Sequence, residues 1–234
     1  MINKELLRTQ SAEFGVELND EAAERFDIYA KLLVEWNEKM NLTGITLPDE
    51  IVTKHFVDSL VVSRYCDLQA GTRLVDVGTG AGFPSIPLLI ANPHIDAVLI
   101  DSLAKRLTFL QAVLDECGLS ARLIHGRAEE LGRDPRLRET FAIATARAVA
   151  PMNILAEYCL PFVKIGGSLI ALKGSDDDVT PAAGAITALG GEITLTQTYN
   201  LSNGDGRSMA VVSKISQTPT KYPRKNKKIT TRPL

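Results

Sequence analysis

Apolar and polar positions change rhythm once along the chain, near residue 73. Before that point the spacing is helical. Ala22, Phe26, Tyr29, Ala30, Leu33 and Trp36 recur at helical steps, and Asn19 or Asp20 can cap the helix they define. A second helix is predicted from Pro48, a residue suited to a first helical turn, through His55, Phe56, Leu60 and Val61. Asn41-Leu42-Thr43-Gly44-Ile45 between them has the composition of a loop. After the change, short β-rich runs at 73–77, 97–100, 122–124, 141–145 and 168–172 alternate with helical stretches, and Pro84, Ser102 and Pro151 stand where those helices should begin. Such alternation builds a parallel sheet with helices on both faces. The last two runs, 192–199 and 207–215, are separated by Ser202-Asn203-Gly204-Asp205-Gly206 and should pair as an antiparallel hairpin. The expected architecture is therefore α/β and Rossmann-like: a mostly parallel seven-stranded sheet ending in an antiparallel hairpin. Residues 1–66 form a helical extension packed on the core, 67–217 the core, and 218–234 a basic C-terminal tail.

Composition narrows the class. A chain of 234 residues accommodates one large α/β domain with an appendage. Its 45% hydrophobic and 23% charged residues are ordinary for a soluble globular protein. The apolar run at 88–91 is far too short to span a bilayer, which takes about 20 residues. Lys4, Glu5 and Arg8 leave no room for the apolar segment of a signal peptide. The three scattered cysteines suit free thiols in a reducing, cytoplasmic setting. Net charge is −2, but the last 17 residues hold six cations and no acid, so the remainder carries −8. A basic tail on an acidic body is a common way to touch a polyanion, although it also suits a solubilising tail. Lys221, Arg224, Lys225, Lys227 and Lys228 in the tail, with Lys173 and Arg207, are the expected contacts if that polyanion is a nucleic acid.

The most informative chemistry lies in Asp76-Val77-Gly78-Thr79-Gly80-Ala81-Gly82-Phe83-Pro84. An apolar strand ends in Gly78-x-Gly80-x-Gly82, and glycines there permit a tight turn and close approach of a ligand. A dinucleotide fingerprint would place its third glycine at residue 83, where Phe83 stands. That shifts weight from a pyrophosphate ligand toward S-adenosylmethionine, whose carboxylate can use amide N–H groups in the turn. Asp76 could balance a positive charge nearby. Asp101 ends the next strand and can accept from two ribose hydroxyls, or it can cap the following helix, a task for which Ser102 would suffice. Gly126-Arg127-Ala128-Glu129 follows the third strand, where a sheet of this kind faces an adenine edge. Arg147 is the one charge in an apolar segment at the end of the fourth strand, where it could hold an anionic group or form a structural ion pair.

Missing signatures bear on the reaction. There is no Asn-Pro-Pro-Tyr or Asp-Pro-Pro-Tyr, no cysteine following a proline, no metal-ligand spacing, no phosphate loop and no Gly-x-Ser-x-Gly. A nucleophile needing neither base nor covalent help suits such a site, and guanine N7, an aromatic lone pair without a proton, is one. Catalysis would then be positioning and charge stabilisation, with no obligatory general base. His55, with Asp58 and Ser59 at helical spacing, is either structural or shapes a base pocket with Arg147.

Together these segments resemble the glucose-inhibited division protein B family, the ribosomal RNA small-subunit methyltransferases G. The likeness rests on Asn41 through Ile45, Lys54-His55-Phe56-Val57-Asp58-Ser59-Leu60, Asp76 through Pro87, Asp101-Ser102, Ala128-Glu129, Ala146-Arg147-Ala148, Leu172-Lys173-Gly174 and Lys221-Tyr222-Pro223-Arg224. It implies a class I methyltransferase fold, S-adenosyl-L-methionine as cofactor and N7 methylation of one guanine in 16S rRNA or the small ribosomal subunit, by a monomer. By motif position it also implies cofactor contacts at Gly78, Phe83, Ala128, Glu129 and Arg147, beside Gly80, Gly82 and Asp101 from the turn and strand end. Gly44 stands where the family commonly has Ala, and Lys225-Asn226-Lys227-Lys228 replaces a frequent small-residue stretch. A small-molecule methyltransferase and a non-catalytic nucleotide-binding module are the rival classes. The first has no use for the basic tail, and the second is a poor fit to Phe83 and the terminal hairpin.

Overall fold

The helical spacing before residue 73 becomes a set of helices laid against a sheet. The computed structural model describes residues 1–175 and 179–234. Helix α1 (Lys4–Glu13) starts where Asn3 accepts from the Leu6 amide, and α2 (Asp20–Met40) where Asn19 Oδ1 accepts from the Ala22 amide at 2.8 Å. Asn41 ends α2 in the left-handed region at φ 49°, which Asn tolerates. The helix from Pro48 is not uniform. It runs as α3 (Pro48–Ile51), a π-helical turn (Val52–Val57) and α4 (Asp58–Leu60). Wide turns of this kind occur frequently at functional sites, and this one carries His55.

The rest of the chain alternates as β1 (Arg73–Val77), α5 (Ser85–Ala91), β2 (Asp96–Asp101), α6 (Ala104–Glu116), β3 (Arg122–His125), α7 (Ala128–Leu131), β4 (Phe141–Arg147), α8 (Met152–Cys159), β5 (Val163–Gly174), α9 (Ala183–Ala188), β6 (Gly191–Asn200), β7 (Gly206–Lys214) and α10 (Asn226–Thr231). The sheet order is β3-β2-β1-β4-β5-β7-β6. The first five strands pair in parallel, and β7 lies antiparallel between β5 and β6. Each expected strand is present, and the antiparallel hairpin closes the sheet as the short turn requires.

Successive strand residues face opposite sides. Leu74 and Leu99 pack with Phe26, Tyr29, Ile86 and Phe109 under the N-terminal helices, α5 and α6. Val75, Val98 and Ile100 pack with Leu155 and Ile186 of α8 and α9. The chain leaves β1 toward β2 on one side and returns to β4 on the other. A crevice therefore opens at the carboxyl ends of β1 and β4, the place where such sheets bind ligands.

Three local readings are corrected. Ser102 does not cap α6; the carboxylate of Asp101 does the local work, accepting from the Leu103 amide at 2.8 Å. Asp76 forms no ion pair among the described residues. It is fully buried among hydroxyls, accepting from Ser85 Oγ at 2.7 Å and Thr145 Oγ1 at 3.2 Å. The C-terminal stretch is folded onto the core and is not a free tail. Tyr222 and Ile229 are buried, and Arg138 donates to the carbonyls of Thr218 and Tyr222. Among the described residues, no helix is long and apolar enough to cross a membrane.

Candidate cofactor and substrate cavities

Two cavities open at the crevice and share Val149. The smaller, about 150 Å³, is built from the ends of β1 and β2 and the start of α7. Gly78 lines it with φ +72°, and a Cβ there would stand 3.0 Å from Val149 Cγ2, so the turn needs a residue without a side chain. Asp101, Ala128 and Glu129 also line it. Asp101 is 2% exposed, and its Oδ2 accepts from the Gly80 amide at 2.9 Å and from Arg106 at 3.3 Å. A carboxylate has about four acceptor positions, so capacity for hydroxyl donors remains. Glu129 is 7% exposed and accepts no hydrogen bond from any described residue. The carboxylate opens onto the cavity with its acceptor positions unused, so a ligand that brings hydroxyl or amine donors fits this wall.

Gly80, Gly82 and Phe83 line neither cavity. Gly80 instead donates its amide to Asp101. Gly82, at φ +98°, faces the helical cover: a Cβ would lie 2.6 Å from Ile86 Cγ1 and 2.9 Å from Tyr29 Oη. It is a close-packing glycine, and Tyr29 donates to the Ala81 carbonyl beside it. Phe83 is a buried platform. His55 stacks on it with centroids 4.4 Å apart, and the Arg147 guanidinium lies 4.7 Å from its centroid.

The larger cavity, about 600 Å³, is lined by Lys54, His55, Asp58, Arg147, Lys173 and Arg207 among others. Arg147 closes β4 and is fixed on three sides. It donates to the Lys54 carbonyl at 3.1 Å, to Asp58 Oδ2 at 3.0 Å and to His55 Nδ1 at 2.9 Å. The ion pair is therefore formed, and the same guanidinium faces the cavity. Asp58 is buried and also accepts from Tyr199 at 2.8 Å, with Arg207 Nε 3.7 Å away. Lys173 donates to the Ala150 carbonyl at 2.8 Å. Four cations and Asp58 line this cavity. Lys54 also pairs with Glu50 at 2.8 Å and with Asp205 at 3.6 Å, and Arg207 with Asp205 at 3.6 Å. Arg147 beside the buried Asp58 is therefore the fixed cation an anion such as a phosphate would meet.

His55 has a defined proton. A guanidinium only donates, so Nδ1 accepts, and Nε2 carries the hydrogen toward Thr43 Oγ1 at 2.7 Å. Burial first, and then Arg147, push its pKa down to about 3. The imidazole is neutral across the ordinary range, with both nitrogens engaged. Burial raises Asp76 to about 6, against hydrogen bonds from Ser85, Thr79 and Thr145.

Of the basic C-terminal residues, Lys221, Lys225, Lys227 and Lys228 are exposed. Arg224 is corrected as an RNA contact. Its guanidinium turns inward onto Glu157, which is fully buried, with Nη2–Oε2 at 2.6 Å and Nε–Oε1 at 2.9 Å. A carboxylate at that depth requires a paired cation. Sequence reasoning missed Lys54 and Tyr158 as lining residues, along with the Asp58 carboxylate that anchors Arg147. Only the clustering of Lys54, His55 and Asp58 signalled part of this. Among the described residues, no group of three or more His, Cys, Asp or Glu could hold a metal ion.

This sheet order, with the crevice at β1 and β4, defines the Rossmann-like class I methyltransferase fold. Solved structures share it: TrmN from Thermus thermophilus (TM-score 0.52, 18% identity, covering 70% of this chain and 53% of that one) and M. jannaschii TYW2 in complex with AdoMet (0.51, 14%, 63% and 71%). The [4+2]-cyclase SpnF is also similar (0.56, 16%, 68% and 82%), so the fold alone does not fix the reaction. The chain belongs to the rRNA small subunit methyltransferase G family, whose GidB model matches residues 22–193. It is 47% identical over 218 residues to Ribosomal RNA small subunit methyltransferase G of Streptococcus thermophilus strain CNRZ 1066, covering 91% of this chain and 92% of that one. Identity to the relative of that name from Desulfitobacterium hafniense strain Y51 is 48% over 228 residues, covering 95% and 94%.

Proposed function

We propose that the chain transfers a methyl group from S-adenosylmethionine to N7 of a guanine in 16S rRNA, acting as a cytoplasmic monomer on the small-subunit RNA. The observation that carries this reading is the pair of carboxylates, Asp101 and Glu129, lining a cavity that meets a cation-lined one at Val149. When bound, the cofactor supplies an electrophilic methyl on a sulfonium centre. Glu129 and Asp101 would hold its hydroxyl and amine donors, beside Ala128 and the Gly78 turn, with Gly80 holding Asp101 in place. Arg147 lines the larger cavity, two residues before the shared Val149, and would hold an anionic group there, either the carboxylate of the cofactor or a phosphate of the RNA. Lys54, Lys173 and Arg207 would hold further RNA phosphates around the larger cavity, and the exposed Lys221, Lys225, Lys227 and Lys228 would extend that track.

Guanine N7 suits what the residues offer. Its lone pair needs no proton removed, and the one imidazole at the cavity has both nitrogens engaged. The contribution of the protein is then alignment of an in-line attack and stabilisation of the charge that moves to the base. The test is transfer of a labelled methyl group to RNA from cells lacking the protein, with digestion to nucleosides. Label in 7-methylguanosine alone supports the reading. Label on metabolites without RNA would assign the chain to the small-molecule class.

A further inference from the structure

The far wall of the smaller cavity comes from the C-terminal segment. Helix α8 carries Glu157 and Tyr158 side by side, and each grips a residue of the folded stretch after β7. Glu157 takes Arg224 through its guanidinium and through its backbone amide at 2.7 Å. Tyr158 Oη donates to Asn226 Oδ1 at 2.6 Å. Arg133 and Arg138 hold the stretch by the carbonyls of Lys221, Thr218 and Tyr222, and Ile229 is fully buried, so the segment sits in one place. Tyr158 and Asn226 thereby face Asp101 and Glu129 across the same cavity.

We infer that the C-terminal segment completes the cofactor pocket and that the Asn226 carboxamide is a specificity-determining contact for the purine of the cofactor. With Oδ1 held by Tyr158, both Nδ2 protons point to no described acceptor. An amide donor suits the acceptor nitrogens of a purine edge, which the carboxylates on the facing wall do not satisfy. Burial, and then the Glu129 carboxylate, raise the Tyr158 pKa, so the phenol stays protonated. The stretch thus has two faces, lysines outward and Asn226 inward.

This inference rests on the cofactor reading proposed above, and one experiment separates the two. Calorimetric titration of the full chain with S-adenosylhomocysteine tests that reading on the wild-type protein: no binding there ends both. Given wild-type binding, Asn226→Ala should weaken affinity about three- to tenfold, the value of one lost hydrogen bond. Asn226→Asp keeps the acceptor for Tyr158 and removes the donors, so it should weaken binding at least as much. The thermal midpoints of the two ligand-free variants, matched to wild type, exclude unfolding as the cause. Wild-type affinity in Asn226→Ala, or its restoration in Asn226→Asp, would reduce Asn226 to a structural partner of Tyr158 and overturn the inference.

Discussion

Arg147 Nη2 donates to His55 Nδ1 at 2.9 Å, joining the last residue of the central strand to the π-helical turn of the N-terminal extension. The bond fixes the imidazole as a neutral acceptor and leaves it no free nitrogen for proton transfer. One consequence is a flat pH profile. In single turnover, the methyl-transfer rate should not change through pH ~6.5, the ordinary histidine range. A steep rise there that vanishes in His55→Ala would replace positioning by acid–base catalysis.

Burial of the same imidazole, with Arg147 beside it, links stability to pH. The unfolded chain takes up a proton at His55 below pH ~6.5, while the folded one holds none until about pH 3. The unfolded state therefore binds more protons in that window, and stability from this residue falls as pH drops through it. Asp76 acts oppositely, since its pKa is raised to about 6 and the folded state holds the extra proton. The measurement is thus a difference. Denaturant curves of wild type minus His55→Asn should slope upward with pH between about 4 and 6; a difference independent of pH would contradict a neutral imidazole in the folded state.

Arg147 should matter more than its partner. Arg147→Ala removes the fixed cation and leaves the buried Asp58 with Tyr199 and the more distant Arg207. Its kcat/KM should fall about a hundredfold, the scale of losing a preorganised charged donor, against about tenfold for His55→Ala. Equal losses would mean that the two act only as a structural pair.

The exposed lysines of the C-terminal segment should show in the salt dependence of RNA binding. Each of Lys221, Lys225, Lys227 and Lys228 that neutralises a phosphate contributes about 0.7 to the slope of log K against log salt on single-stranded RNA. Substituting them by Gln one at a time should flatten the slope stepwise, and an unaltered slope would make them bystanders. Truncation is the wrong tool, since it also removes Arg224 from the buried Glu157. Arg224→Ala alone should cost about 3 kcal/mol in chemical denaturation, the penalty of an unpaired buried charge.

The sheet was legible because its signal is local: each short β-rich run became a strand, and the Ser202–Gly206 turn forced the hairpin. The Gly-rich turn was legible for a related reason, since positive φ at Gly78, Gly80 and Gly82 needs glycine. Motif position did not distinguish roles within the turn. Gly78 lines a cavity, whereas Gly82 packs against Tyr29 from 53 residues earlier. The meeting of Arg147 with His55 was legible, whereas its ion-pair partner Asp58 was hidden because a π turn alters helical spacing and because Asp58 lies 89 residues away in sequence. Arg224 and Asn226 read as parts of a basic tract, and only Glu157 and Tyr158 on α8 turn them inward.

The most direct test of the central claim is base-resolved mapping of 16S rRNA from cells lacking the protein, before and after incubation with the chain and S-adenosylmethionine. One guanine should gain an N7 methyl group, detected by chain cleavage at the modified base, and should gain none with the Arg147→Ala chain at the same concentration and time. A methyl group on an exocyclic amine, on another base, or on no RNA at all would contradict the account.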